Sequence, residues 1–353
     1  MLELSKLSTS PWSSPFNHLS RDRVRFRSLK PLCNVERVRS IDDDDASSAN
    51  RMFILGLGFV GQFFGNQLTK QNWHVGGTCR SEIKRHRLEK MGFDAHLFTN
   101  DTEETKNLSL SCLEEVTHLL VSWPPIVGFG DPVLDRCQDV LQSRLGNGNL
   151  QWLCYLSSTS VYGDCNGAWV DEDYPANPKK ASAKARLAAE NRWLSVGNNL
   201  GVPVQVLRPG GIYGPGRSAL DTIIKQEILT ENQRMREARR YTSRIHVDDV
   251  CQALKATIDV PSPGRIYNVV DDDPAPRTEV FAFASELIDK KWPGKIKASP
   301  TAGAYRQGHE RAEGGEKRVS NVRMKNDLGV KLLHPTYRSG LEDIIKTMEN
   351  PFP

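Results

Sequence analysis

The chain has no long apolar run. Its longest, "HLLVSWPPIVGF" (118–129), is broken by Pro124 and Pro125 and is too short to cross a bilayer. There is no C-x-x-C. The seven cysteines, at positions 33, 79, 112, 137, 154, 165 and 251, are scattered and odd in number. Reduced thiols in a reducing compartment are therefore expected, not a disulfide frame or a zinc site. The eight histidines form no H-E-x-x-H or other ligand spacing, so no metal is expected. A Walker-type phosphate loop and an internal repeat are also missing. Strong charge is lacking in most of the chain. Residues 1–40 hold eight cations against three acids, more than the whole net charge of +4, so the remainder is near neutral. A near-neutral body has no strong electrostatic drive toward nucleic acid or anionic lipid.

What is present has ordinary globular composition: 353 residues, 25% charged and 38% hydrophobic. The first 40 residues are rich in Ser and Arg and poor in acid, with no secretory-type apolar core. That composition matches an organelle transit peptide, and the early Ser, Thr and Pro point to the plastid stroma first and the mitochondrion second. "DDDDASSAN" (42–50) reads as a solvated linker, so 1–50 is expected to be transit peptide and disordered linker, and the folded body to run over 51–353.

"RMFILGLGFVGQFFGNQLTK" (51–70) is the most informative stretch. Met52 to Leu55 form a buried-strand run, Gly56-x-Gly58-x-x-Gly61 follows, and Val60, Phe63, Phe64 and Leu68 then recur at helical spacing. A strand, a glycine turn and a helix in this order hold a dinucleotide. The first glycine permits the turn, the second admits a pyrophosphate to the backbone, and the third lets helix and strand pack. Amides at the Phe59 and Val60 turn would carry the phosphate charge at the helix start.

The next strand, "HVGGTCR" (74–80), ends where an NAD-preferring site places an acid for the ribose 2′-hydroxyl. Here Thr78 and Cys79 are followed by Arg80 and Ser81. A guanidinium pairing with a 2′-phosphate contributes roughly 1.5–3 kcal/mol. NADP(H) is therefore the expected cofactor, with NAD(H) the alternative. Strand-like segments at 94–98, 117–122, 150–158 and 202–209 follow, with helical segments such as 131–145 and 184–197 between several of them. This alternation predicts an α/β fold with a doubly wound parallel (Rossmann) sheet.

Four further motifs, "CYLSSTSVYGD" (154–164), "VLRPGGIYGPG" (206–216), "RIHVDDVCQAL" (244–254) and "GRIYNVVDDDP" (264–274), resemble the extended short-chain dehydrogenase/reductases, which include nucleotide-sugar epimerases and dehydratases. The resemblance spans about 52–275. It implies that Gly56, Gly58 and Gly61 hold the pyrophosphate, that Ser122 and Trp123 lie along the cofactor, and that Pro209, Gly210 and Ile212 border the nicotinamide. It also implies that Ser158 is the catalytic hydroxyl, that Arg244 and His246 lie on the substrate side, and that a smaller substrate lobe forms from about 211–243 and 271–353.

The family's Tyr-x-x-x-Lys pair is absent. Its slots on "ASAKARLAAE" (181–190) hold Ser182 and Arg186. A serine is far less acidic than a tyrosine, and losing a positioned acid typically costs about 10²–10⁴ in rate. Lys184, two residues round the helix, points elsewhere. Tyr162, Tyr174 and Tyr213 are candidate replacements. Tyr162 stands first because it follows the Ser158 strand, although packing is its competing role. For Arg186 a ribose contact and an ion pair to Glu190 stand side by side. The dehydratase Thr-Asp-Glu slots hold Ser158, Thr159 and Ser160, which argues against water elimination. The pattern resembles the atypical branch that keeps the fold but not the Tyr/Lys pair.

The sequence thus points to an NADP(H)-binding reductase or epimerase acting on a carbonyl or nucleotide sugar. A non-catalytic cofactor-binding regulatory module is the alternative, and an RNA-binding plastid protein the weaker third. The expected partner is a small-molecule substrate, with a second copy of the chain as a further candidate; nucleic acid is disfavoured and no membrane is implied. "HVDDV" (246–250) reads as a helix start rather than a charge relay. The polar 301–321 segment reads as a loop, either over the substrate mouth or a plain linker.

Overall fold

The computed structural model describes residues 50–98, 113–146, 149–226, 239–296 and 315–352. The expected transit peptide, the acidic linker and most of the 301–321 segment lie outside them. The first described element is β1 (Arg51–Leu55), the strand that its apolar run predicts. Met52 and Ile54 join the core on one face of the sheet, and Phe53 and Leu55 the core on the other. A strand covered on both faces must be apolar at every position, which is why no alternation is visible there.

After the glycine turn come α1 (Phe59–Thr69), β2 (His74–Cys79), α2 (Glu82–Lys90), β3 (Asp94–Leu97) and β4 (His118–Val121). Then follow α3 (Leu134–Leu145), β5 (Trp152–Leu156), the short β6 (Trp169–Val170), α4 (Ala181–Leu200) and β7 (Val204–Pro209). The helix expected over 131–145 starts at Leu134, after a turn in which Asp131 Oδ1 accepts from the Val133 and Leu134 amides at 3.0 Å. The chain continues through β8 (Gly211–Tyr213), α5 (Ala219–Ile224), β9 (Arg244–His246), α6 (Val247–Asp259) and β10 (Ile266–Val269). It ends with α7 (Arg277–Lys291), β11 (Arg318–Val319), α8 (Val322–Leu328) and α9 (Tyr337–Thr347).

Seven strands form one parallel sheet in the order β10-β7-β5-β4-β1-β2-β3. Strand order reverses between β1 and β4. In such sheets the crevice beyond the carboxyl ends of the strands at that reversal is where ligands bind. Helices α1 and α6 cover one face, through Phe64, Leu68, Val250 and Leu254. Helices α3 and α4 cover the other, through Leu141, Leu145, Trp193 and Val196.

A third cluster builds the lobe. Tyr213, Leu220, Ala284, Ile288, Tyr337, Leu341 and Ile344 pack α5, α7 and α9 together. The lobe takes less of the tail than the 271–353 span expected from sequence. Met324 and Leu328 of α8 pack into the main core, and β11 pairs with β6. An apolar helix near the end of a chain is equally suited to either core, so its sequence could not assign it.

Candidate active site

At the reversal point the first glycine makes the turn. Gly56 has φ +100°, a region side chains other than glycine rarely adopt. Its peptide is clamped from both neighbouring strands. Its amide donates to Thr78 Oγ1 at 2.8 Å, and its carbonyl accepts from Ser122 Oγ at 2.6 Å. A Cβ on Gly61 would stand 2.9 Å from the Gly56 carbonyl oxygen, so only glycine lets α1 start this close to β1. No side chain caps α1 at Gly58, and its first turn holds no acid. The helix thus presents bare amides and its positive dipole end to the crevice at Phe59 and Val60. The residues present fit a dinucleotide pyrophosphate.

At the end of β2, Cys79 is buried and Arg80 is exposed, its guanidinium lying 4.9 Å from the Trp123 ring centroid. Trp123 is itself buried, edge-on to Phe98 at 4.9 Å. Stacking of this kind holds a flexible side chain in one orientation. Glu82, the nearest following acid, pairs with Arg85 at 2.8 Å. Ser81 is occupied as the N-cap of α2, its hydroxyl accepting from the Lys84 amide at 3.4 Å. Ser122 likewise directs its hydroxyl to Gly56 and shapes the turn.

Ser158 follows β5 and caps the 3-10 turn Thr159–Tyr162, its Oγ accepting from the Ser160 amide at 3.1 Å. That bond occupies an oxygen lone pair and leaves the hydroxyl proton for another acceptor. The neighbouring Ser157 hydroxyl is buried and has no protein partner among the described residues.

Tyr162 is turned into the core and does not reach the crevice, contrary to the expectation that it replaces the missing acid. Its side chain is 1% exposed. Its hydroxyl donates to Asn268 Oδ1 at 2.8 Å and accepts from Arg208 Nη1 at 2.9 Å. Arg208 is in turn held by Glu190, with Nε to Oε2 at 3.2 Å and Nη2 to Oε1 at 2.5 Å. Burial pushes the Tyr162 phenol above its usual range, with Arg208 opposing. The hydroxyl is a link in a closed core network. Tyr174 is partly exposed beside it, ring centroids 6.5 Å apart.

This network also decides Arg186. Glu190 is taken by Arg208, so the ion pair weighed from sequence does not form. Arg186 Nη1 instead donates to the carbonyls of Leu156 at 3.0 Å and Ser157 at 3.4 Å, bracing the end of β5 just before Ser158. Ser182, in the tyrosine slot, is exposed on the first turn of α4.

Pro209 ends β7, and Gly210 leads into β8, where Ile212 pairs with Ile245 of β9. Beyond them a cavity of about 390 Å³ opens between β8, α5, α7 and α9. Among the described residues, Arg217, Lys225, Arg244 and Arg277 line it with one carboxylate, Asp221, and with Tyr337 among its aromatic walls. The Arg217 guanidinium lies 5.2 Å from the ring of Phe59, joining the cavity to the glycine turn. Arg244 is buried and donates to the Ala275 carbonyl at 2.7 Å. Arg217 and Lys225, which flank α5, and Arg277, which begins α7, carry no sequence signal because no spacing marks side chains that converge from separate segments.

His246 does not line this cavity. It is buried at the start of α6, where Nδ1 accepts from the Asp248 amide at 3.3 Å. Burial, then the nearby His334, push its imidazole down to about 3. The reading of "HVDDV" as a helix start therefore agrees with the structure, and a substrate contact for His246 does not.

The sequence profile of the NAD dependent epimerase/dehydratase family matches residues 129–270. A functionally unknown conserved protein from Silicibacter pomeroyi DSS, of known structure, is 35% identical, with a TM-score of 0.66, and the match covers 84% of this chain and 98% of that one. Protein YeeZ of Escherichia coli strain K12 is 25% identical over 288 residues, 81% of this chain and 96% of YeeZ. A 4-hydroxy-2-methyl-3-oxo-4-farnesyl-3,4-dihydroquinoline-1-oxide ketoreductase of Stigmatella aurantiaca is 24% identical over 68% of this chain and 72% of its own length.

Proposed function

The chain belongs to the NAD dependent epimerase/dehydratase family, and from that premise we propose that it is an NADP(H)-dependent reductase or epimerase of anionic carbonyl or nucleotide-sugar substrates, working in the plastid stroma. The observation that carries the cofactor choice is the end of β2. An arginine stacked on Trp123 stands there, and the nearest acid is turned to Arg85. The ketoreductase relative supports carbonyl chemistry, and the basic lining of the cavity supports a substrate bearing negative charge. The basic arm supports delivery to the plastid.

When bound, the nicotinamide supplies or accepts hydride. The chain's own residues do the rest. Gly56 to Gly61 bind the diphosphate, and Arg80 takes the 2′-phosphate. Ser158 directs its hydroxyl proton to the substrate oxygen, its lone pair held by the Ser160 amide. Arg186 fixes the backbone on which Ser158 rides. Titration of the full chain with NADPH and NADH, followed by NADPH oxidation over a panel of anionic carbonyls, tests this reading. Tighter NADPH binding, and turnover that Ser158→Ala lowers by about 10² or more, are expected; equal affinities would overturn the Arg80 assignment.

A second reading is favoured by one observation. Ser182 and Arg186 replace the usual proton-transfer pair, and Arg186 is tied to the backbone. On that reading the protein is a regulatory module that binds the cofactor and turns nothing over. It predicts full NADPH affinity with no turnover across the panel.

A further inference from the structure

Behind the Tyr213 wall of the cavity, three elements bring together side chains that the proposed reaction does not use. His246 ends β9, Asp248 lies in the first turn of α6, and His334 precedes α9. One ligand atom from each lies within 4.8 Å of the others. His246 Nδ1 stands 3.5 Å from Asp248 Oδ2, and the two imidazole rings are 4.1 Å apart centre to centre. We propose that His246 Nδ1, Asp248 and His334 bind one divalent metal ion of the zinc class, with water completing the shell, and that the ion fastens the segment before α9 to the start of α6.

Two imidazole nitrogens and one carboxylate oxygen are a zinc donor set. With bonds of about 2.0–2.1 Å, tetrahedral ligand atoms stand roughly 3.3 Å apart, close to the His246–Asp248 separation. Binding at Nδ1 displaces only the 3.3 Å cap from the Asp248 amide, a long hydrogen bond.

The charge around the site favours a cation. Asp248 is half-buried, with His246 Nδ1 3.5 Å away and the like-charged Asp343 and the His334 imidazole also acting on it. The His334 side is held in place independently. Asp249 Oδ1 accepts from the Leu333 amide at 2.6 Å, and its Oδ2 accepts from the His334 amide at 3.1 Å. Such outer contacts orient a ligand before the ion arrives. Tyr213, edge-on to His246 at 5.2 Å, faces the cavity on its other side, so the ion acts as a structural cross-link. No ligand spacing betrays it in sequence because the two histidines come from distant segments.

The test uses the full, untagged chain freed of metal by a chelator. Cobalt(II) is titrated in and followed by visible absorption, and zinc(II) is then added in competition. One cobalt per chain, with bands of a low-coordinate ion that zinc displaces, is expected. His334→Gln and, separately, Asp248→Asn should each weaken binding at least tenfold while circular dichroism and NADPH binding stay unchanged. Zinc should raise the thermal midpoint of the wild type and not of either variant. Failure of the wild type to develop bands would overturn the proposal. So would bands that persist in both variants, or a sulfur-to-cobalt charge-transfer band, which would assign the metal to the chain's thiols. Should His334→Gln misfold, Asp248→Asn, altered at a half-exposed side chain, decides alone. None of these outcomes depends on turnover, so the site stands or falls apart from the proposed reaction.

Discussion

Replacing Arg80 with alanine tests the proposed 2′-phosphate contact. A charge-assisted hydrogen bond contributes about 1.5–3 kcal/mol when well shielded. Arg80 is exposed, so solvent screening lowers this to roughly 1–2 kcal/mol, or about 5–30-fold in affinity. Stacking on Trp123 preserves part of the interaction by holding the guanidinium in one orientation before ligand arrives. NADH lacks the 2′-phosphate and should lose less than about twofold. The assay is nicotinamide fluorescence titration of wild type, Arg80→Ala and Arg80→Lys with both cofactors, at two salt concentrations. Lysine keeps the charge but not the planar fork or the stack, so it should fall between the other two. The wild-type preference for NADPH should shrink as salt rises, because the contact is open to screening. If Arg80→Ala weakens both cofactors by the same factor, the arginine supports the crevice through Trp123 and does not read the phosphate. If wild type shows no preference at all, the argument from the missing acid fails with it.

Other consequences follow from the same geometry. Ser158→Ala should lower kcat by about 10² or more with cofactor affinity unchanged, measured by NADPH oxidation; unchanged turnover would remove Ser158 from the reaction. Tyr162→Phe should leave turnover within a few-fold yet cost about 1–3 kcal/mol in urea denaturation, because buried Arg208 and Asn268 each lose a partner. A collapse of kcat at full stability would instead restore Tyr162 as the proton donor. Ser182→Tyr combined with Arg186→Lys rebuilds the missing pair on one helix face and should raise carbonyl reduction by roughly 10²-fold; a rise with Ser182→Tyr alone would show that Arg186 already fills the lysine's role. His118 is buried, and burial pushes its imidazole down to about 4 against about 6.5 unfolded. The unfolded chain therefore binds its proton first, so this contribution to stability is full above about pH 6.5 and is lost as pH falls toward 4. His118→Gln should reduce the pH dependence of the urea midpoint across that window without abolishing it, because buried His246 is pushed down in the same way, and an unchanged slope would refute the assignment.

The parts of the site that could be read from sequence are those fixed by local backbone chemistry. Gly56 needs a positive φ, Gly61 needs to lack a Cβ, and the strand before them needs to be apolar on both sides; each requirement leaves its mark within a few residues. What could not be read are side-chain directions set by distant partners. Tyr162 stands next to Ser158 in the chain, but its hydroxyl is turned inward by Asn268 and Arg208, which come from β10 and β7. Glu190 lies one turn from Arg186, yet the buried Arg208 takes it, since a buried guanidinium left unpaired costs far more than a half-exposed one. That preference has a functional consequence. Arg208 draws both Glu190 and Tyr162 into the core, so neither is available for proton transfer, and Arg186 is left to brace the β5 carbonyls. The cofactor crevice and the acid–base machinery are thus held by separate sets of contacts, and one can persist when the other is replaced. A Glu190→Gln variant should therefore lose stability through Arg208 while keeping its NADPH affinity. Loss of both together would show that the two sets are coupled after all.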